Sequence, residues 1–339
     1  MTSGDRSGVL AGGNWIVDRI KIIDRYPEED GLACILAESR SNGGSPYNLL
    51  KDLARLRAPF PLAGVGLVGD DAAGDFVFED CRTHGIDTGH LRRTADDPTS
   101  YTEVMTVQST GRRTFFHHPG ANRLLDRGDF PLGTSRARIF HLGYLLLLQR
   151  LDEVSADGRT GAATLFHEAR SLGFKTSADL VSEATDRVPR VVEPSLPAID
   201  YLFLNEIEAE RLTGIRTRRA GTIVPEAVSR AAEVLIGRGV NDLVCIHYPE
   251  GALVRTSSGR ECSQPSVRLP AEKVVGAVGA GDAFAAGVLF GLHEGWETEA
   301  CLRLGVCTAA ACVTHPASSE GVLPWTECLK LGDEHGFRT

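Results

Sequence analysis

The sequence predicts an α/β protein: a mostly parallel central sheet covered by helices on both faces, with a few strands set apart from it. Three observations predict this. Short apolar runs alternate with helix-like segments along most of the chain, and strands alternating with helices of that size form sheets buried on both sides. At 339 residues, 42% of them hydrophobic, the chain can bury a substantial core. Two stretches, about residues 14–40 and 101–118, break the alternation.

In chain order, residues 15–39 hold short alternating runs with no helical period. Residues 62–68 read as a strand and 72–83 as a helix. Residues 103–107 and 113–116 read as the arms of a hairpin around Ser109-Thr110-Gly111. Residues 139–148 form an apolar run that reads as a buried strand, and 166–172 look helical. Residues 201–204 precede a helix over 206–212. A helix over 225–238 leads to a buried strand at 243–246. Helices over 282–293 and 297–313 follow. No linker separates two units, so residues 1–339 are expected to form a single domain into which the two irregular stretches insert a small lid.

Composition excludes some functions. The formal net charge is -9 and no long Lys/Arg run occurs, which argues against a nucleic-acid partner. Residues 1–6 are polar, with no apolar segment of the signal-peptide kind. The longest apolar run, 142–148, is too short to cross a bilayer. The eight cysteines, Cys34, Cys81, Cys245, Cys262, Cys301, Cys307, Cys312 and Cys328, form no CxxC pair. Reduced, mostly buried thiols and a cytoplasmic location are the expectation.

Two glycine-rich segments invite a phosphate reading. Gly64-Val65-Gly66-Leu67-Val68-Gly69 matches GxGxxG after a strand. Asp70 and Asp71 follow it, however, and a pyrophosphate there would meet two carboxylates instead of a positive helix end. A helix cap with glycines for tight packing fits better than an NAD(P) site. The second segment is Gly276-Ala277-Val278-Gly279-Ala280-Gly281-Asp282. Here a turn enters a helix of small residues, so successive N–H groups and the helix dipole can form an anion hole. Asp282 in the first turn could take a proton from an attacking hydroxyl; composition alone equally allows a capping aspartate.

Gly279-Ala280-Gly281-Asp282-Ala283-Phe284 resembles the GAGD signature of the ribokinase-like (PfkB) carbohydrate kinases. The likeness covers most of the chain. Gly13-Asn14 with Asp18 resembles the family's first strand, and Asn42-Gly43-Gly44-Ser45-Pro46-Tyr47-Asn48 its GGxxxN substrate loop. Residues 66–71 with Gly74, then His141-Leu142-Gly143, then Asn205-Glu206-Ile207-Glu208 follow in the family's order. The resemblance implies a three-layer α/β/α fold with a small β-sheet lid. It implies ATP-dependent phosphorylation of a sugar-like hydroxyl, with Asp282 as base and the N–H groups of Gly279, Ala280 and Gly281 on the phosphoryl group. Asn14, Asp18, Gly43, Gly44 and Asn48 would bind substrate. Asn205, Gly251, Gly279 and Gly281 would meet the nucleotide. Asn205 and Glu208 would hold Mg²⁺ through water, since a hard cation prefers oxygen ligands. A homodimer through the lid is also implied.

Other residues stay open between function and bland alternatives. Asp179 ends a strand and could approach phosphates or cap. His117, His118 and Asn122 follow the hairpin without metal-ligand spacing. Arg112 and Arg113 suit a solvated hairpin tip, although a lid arginine could reach a phosphate. The family pattern also fails in places. Gly276 and Ala277 replace an Asp-Thr pair whose aspartate helps bind a monovalent cation, so activation by potassium is in doubt. Residues 246–250 depart from the usual nucleotide strand. The loop 314–319 is expected beside the adenine, and Ser45 and Tyr47 are expected to shape the substrate pocket. A nucleoside kinase, with Tyr47, Phe115 and Phe116 around a base, and a non-catalytic ligand-binding member are the alternatives.

Overall fold

Within residues 6–182 and 186–338, which the computed structural model describes, the chain opens with β1 (Val9–Gly13), β2 (Ile16–Ile23) and β3 (Ile35–Gly43). Residues 1–5 of the polar start lie outside the described residues. Next come α1 (Ser45–Arg55), β4 (Leu62–Gly69), α2 (Ala72–Thr83) and β5 (Asp87–Thr94), then the hairpin of β6 (Ser100–Val107) and β7 (Arg113–His118). The alternation resumes with β8 (Ile139–Leu145), α3 (Gly161–Ser171), β9 (Lys175–Leu180), α4 (Val188–Val192), β10 (Tyr201–Asn205) and α5 (Glu206–Thr213). A short pair, β11 (Arg218–Arg219) and β12 (Thr222–Ile223), precedes α6 (Pro225–Gly237), β13 (Leu243–Tyr248), β14 (Gly251–Thr256) and β15 (Glu261–Pro265). The last helices are α7 (Ala280–His293), α8 (Thr298–Cys312) and α9 (Trp325–His335).

The main sheet has the order β15-β14-β13-β10-β9-β8-β1-β4-β5. Its pairs are parallel from β13 through β5, and β14 and β15 add an antiparallel edge. Side chains alternate across a strand, so the sheet divides two cores. Val9 and Ala11 point into one, with Tyr201, Phe203 and residues of α1, α7 and α8. Leu10, Leu202 and Leu204 point into the other, against residues of α3, α5 and α6. This is the three-layer arrangement expected.

A second sheet, β3-β2-β6-β7, stands apart. It draws on both irregular stretches: β2 pairs antiparallel with β3 and parallel with β6. Asp18, Thr102 and His117 lie side by side across three of its strands. No helix among the described residues is long and apolar enough to cross a membrane.

Several boundaries differ from the sequence reading for identifiable reasons. β8 ends at Leu145 rather than 148, because Leu146 takes φ 80° and turns the chain. α3 starts at Gly161 instead of 166; Thr160 caps it by accepting the Ala163 N–H at 3.1 Å. The GxGxxG segment is structural. Asp71 caps α2 through the Gly74 N–H at 2.8 Å, and Gly64 and Gly66 leave room for the Trp15 ring. All eight cysteines are free, and six of them are buried.

Candidate active site

A cleft of about 820 Å³ opens beside the carboxyl ends of β9 and β10, where ligands of parallel sheets bind. Polar residues Asp18, Asn48, Tyr144, Asp179 and Asp282 line it, as do apolar Val267, Leu269, Val306, Ala309 and Val313. Ile16, Asp18, Thr102, Phe115 and His117 contribute the second sheet's wall.

Asp282 sits in the first turn of α7, almost wholly buried. The turn before it works because Gly279 takes φ 75°; a Cβ there would lie 2.4 Å from the Ser318 carbonyl oxygen. First-turn N–H groups have no intrahelical partner, so this end of α7 offers donors to an anion. Ala280 is the least free of the three residues, its N–H making a long 3.4 Å contact to Ala277 O. Two donors hold the Asp282 carboxylate. Asn48 Nδ2 donates at 2.7 Å, and the Tyr144 hydroxyl lies 2.8 and 2.9 Å from its two oxygens. Burial, then the nearby Asp179 charge, push the carboxyl up to about 8.

Asn48 is itself fixed: Asn42 Nδ2 donates to its Oδ1 at 2.7 Å and to Ser319 Oγ at 2.8 Å. The double glycine before it has a steric origin. A Cβ on Gly43 would lie 2.5 Å from Asp18 Oδ1. One on Gly44, at φ 83°, would lie 2.0 Å from the Asn14 carbonyl oxygen. Asp18 lines the cleft from β2, and burial pushes its carboxyl up to about 7, against the opposing pull of Ser318 and Arg113.

Asn205 and Glu208 close a capping box on α5. The Asn205 Oδ1 accepts the Glu208 N–H at 2.8 Å, and Glu208 Oε2 accepts the Asn205 N–H at 2.9 Å. Ser182 Oγ and Asn205 Nδ2 donate to the other Glu208 oxygen at 2.7 and 2.8 Å. Burial raises this carboxyl to about 7. Among the described residues no cluster of three His, Cys, Asp or Glu could enclose a metal. One buried carboxylate and an amide at a phosphate-sized cleft fit Mg²⁺ held mainly by water and phosphate oxygens.

Other residues fall elsewhere than the sequence reading placed them. Asn14 is fully buried and does not reach the cleft: its Oδ1 accepts the Tyr144 N–H at 2.6 Å and its Nδ2 donates to Leu147 O at 3.0 Å. Gly43 acts by making room for Asp18. Ser45 and Tyr47 do not line the cleft either. Ser45 Oγ lies 2.8 Å from Asp179 and 2.7 Å from His141, while Tyr47 stacks on Trp15 and donates to Asp80. Phe116 lies outside the cleft, so of the three aromatic residues considered for a base slot only Phe115 remains. Asn122 is buried and holds the Trp15 backbone through both ends of its amide. Loop 314–319 follows Val313 of the cleft wall and runs under the second sheet, with Ala317 against Ile20 and Val104. Gly251 lines the cleft. His247 also lines it beside Gly281, kept neutral by burial that lowers it to about 4. Tyr144 was the residue the sequence concealed; its one signal is a tyrosine after glycine inside an apolar run.

Known proteins resemble this chain along most of its length. The family described as pfkB family carbohydrate kinase matches residues 16–326. The ATP-dependent ribose-1-phosphate kinase of Halopiger xanaduensis is 27% identical over 318 residues, 92% of this chain and 93% of that protein. The 2-dehydro-3-deoxygluconokinase of Bacillus subtilis is 26% identical over 309 residues, 89% of each. The structure of Arabidopsis thaliana ribokinase complexed with ribose and ATP superposes with a TM-score of 0.78 at 25% identity, covering 96% of this chain and 98% of that one.

Proposed function

Since the chain belongs to the pfkB family of carbohydrate kinases, we propose that it moves the terminal phosphate of ATP onto a hydroxyl of a sugar-like substrate, with Asp282 as the base. The observation that carries this reading is the placement of Asp282: buried, at the donor-rich end of α7, and held by Asn48 and Tyr144. A substrate hydroxyl beside Asp282 gives its proton to the carboxylate as its oxygen bonds to phosphorus, and ADP leaves. The N–H groups of Gly279, Ala280 and Gly281 face the charge on the phosphoryl oxygens. Asp18 and Asn48 orient the acceptor's hydroxyls, and Gly44 brings the loop close. The apolar residues from Val267 to Val313 suit a nucleobase, with Gly251 at the edge. Mg²⁺, held through water near Asn205 and Glu208, would neutralise phosphate charge.

The relatives support donor and acceptor class: one is named ATP-dependent, and another was solved with ribose and ATP. The second sheet serves in this reading as a lid on a single kinase domain, excluding water. Its exposed Ile35, Leu36 and Phe116, with Leu32 in the β2–β3 connection, favour a homodimer, which light scattering would test. A cytoplasmic enzyme with reduced thiols completes the proposal.

The test is ADP release with Mg-ATP across sugars, sugar acids, sugar phosphates, sugar alcohols and nucleosides. A substrate-dependent signal is expected, and Asp282→Asn should lower kcat by about 1,000-fold without unfolding the chain. Near-native turnover in that variant would remove Asp282 as base.

A further inference from the structure

Arg113 opens β7, and its guanidinium reaches across to the turn that precedes α7. A Cβ built on Gly276 would lie 2.1 Å from its Nη2 and 3.1 Å from its Cζ. The guanidinium therefore occupies space that any side chain at 276 would need. It is half-buried there and, among the described residues, donates no hydrogen bond and has no carboxylate within ion-pair distance. Burial lowers its pKa, against the opposing pull of Cys312 and then of Asp18.

A partly desolvated guanidinium with five donors and no acceptor is costly to hold. Oxygens of an incoming anion would satisfy it. The adjoining cleft, whose lining stops short of Arg113 and begins one residue after Gly276 at Ala277, is acidic. Asp18, Asp179, Glu206, Glu208 and Asp282 line it, and the cation among its lining residues, Arg338, belongs to the chain's C-terminal segment. A phosphoryl group arriving at the α7 turn thus meets an excess of negative charge, and the Arg113 guanidinium is a cation packed against the start of that turn, at Gly276.

We infer that Arg113 is a further catalytic residue of the transfer. Its guanidinium binds oxygens of the phosphoryl group in transit, and position 276 is glycine because that guanidinium needs the space. The inference rests on the kinase reading of the same cleft. The bond from phosphorus to the ADP oxygen breaks, the bond to the acceptor oxygen forms, and the proton goes to Asp282; Arg113 exchanges no proton. Because Arg113 belongs to the small sheet and Gly276 to the α7 turn, the cation is delivered only while that sheet is seated.

Two arms test this. In turnover with the acceptor found above, Arg113→Met should lower kcat about 100-fold, the scale for losing one oxyanion donor, with KM changed by less than about threefold. Arg113→Lys should recover part of the loss, since it keeps the charge without the planar fork. Gly276→Ala, which displaces the guanidinium, should reproduce the loss in the Arg113 background and add nothing to Arg113→Met. In calorimetry, Mg-ADP should bind wild type and Arg113→Met alike, while the extra affinity gained with aluminium fluoride should vanish in the variant. Retained kcat in Arg113→Met, additive effects of the two substitutions, or an equal loss of plain ADP affinity would each overturn the inference. A fluoride gain that depends on Arg113 in a protein phosphorylating no acceptor would uphold the arginine's role and sink the proposed acceptor class. A protein that binds no nucleotide would sink both.

Discussion

As the proposed base, Asp282 would have to act as an anion where the surroundings disfavour one. Burial and the Asp179 charge push it up to about 8, so the free protein carries it mostly protonated at neutral pH. The rate kcat/KM should therefore climb between about pH 6 and 8 and then level, a profile that steady-state assays would read. Stability runs the other way. A carboxyl raised in the folded state favours folding fully below its ordinary value near 4, and that contribution is lost as pH rises through about 8. Asparagine at 282 can still accept from Asn48 and donate to Tyr144, yet it cannot ionise. Asp282→Asn should thus gain Tm relative to wild type as pH rises from 4 to 8, measured by scanning calorimetry; a gap that shrinks with pH would contradict the shift. At this scale legibility divided by chemistry. Asp282 stood out because a carboxylate directly after a glycine-rich turn at a helix start needs a reason, whereas Asn48 and Asp18 were picked out only through the family resemblance. Tyr144 did not stand out, because a tyrosine in an apolar run also reads as core, and Asn14 misled because a buried amide serves backbone groups as readily as a ligand.

Among the elements, α7 and α8 hold the site's floor in place. They cross where Gly287 meets Gly305: a Cβ on Gly287 would lie 2.8 Å from the Gly305 Cα. Gly287→Leu should cost about 3 kcal/mol through overpacking, seen as a lower urea midpoint. Gly128→Ala, with nothing within 4 Å of the added carbon, should leave the midpoint unchanged. The helices α2, α5, α6, α7 and α8 and the buried strands β4, β8, β10 and β13 were legible here because their apolar runs or periods are strong, whereas α1, α4, α9 and β14 were not read from the sequence. Nor were β3 and β5: six residues of β3 in a row are exposed, and a single residue of β5, Leu91, is buried, so no alternation marks either one.

For the whole molecule, sequence periodicity revealed the layers but not the strand order. That β1 lies between β8 and β4, and that β2 joins β6 across the intervening α1–β5 segment, are long-range pairings with no local signature. The insertion of two separated stretches into one small sheet was legible only as a break in the pattern, since both lacked the helical spacing found elsewhere.

The distribution of sulfur gives the molecule a built-in clock. Cys34 is exposed and Cys262 half-buried, while Cys81, Cys245, Cys301, Cys307, Cys312 and Cys328 are buried with thiols raised far from the reactive thiolate. A chromogenic disulfide reagent should titrate Cys34 at once and the six buried thiols only as fast as the chain opens. The Cys312 sulfur lies 3.0 Å from Ser318 O and 3.5 Å from Val278 O, against the turn before α7. Nucleotide and acceptor bound together should slow its labelling selectively, so mass spectrometry of the modified thiols would time the opening of the turn before α7 without any catalytic event.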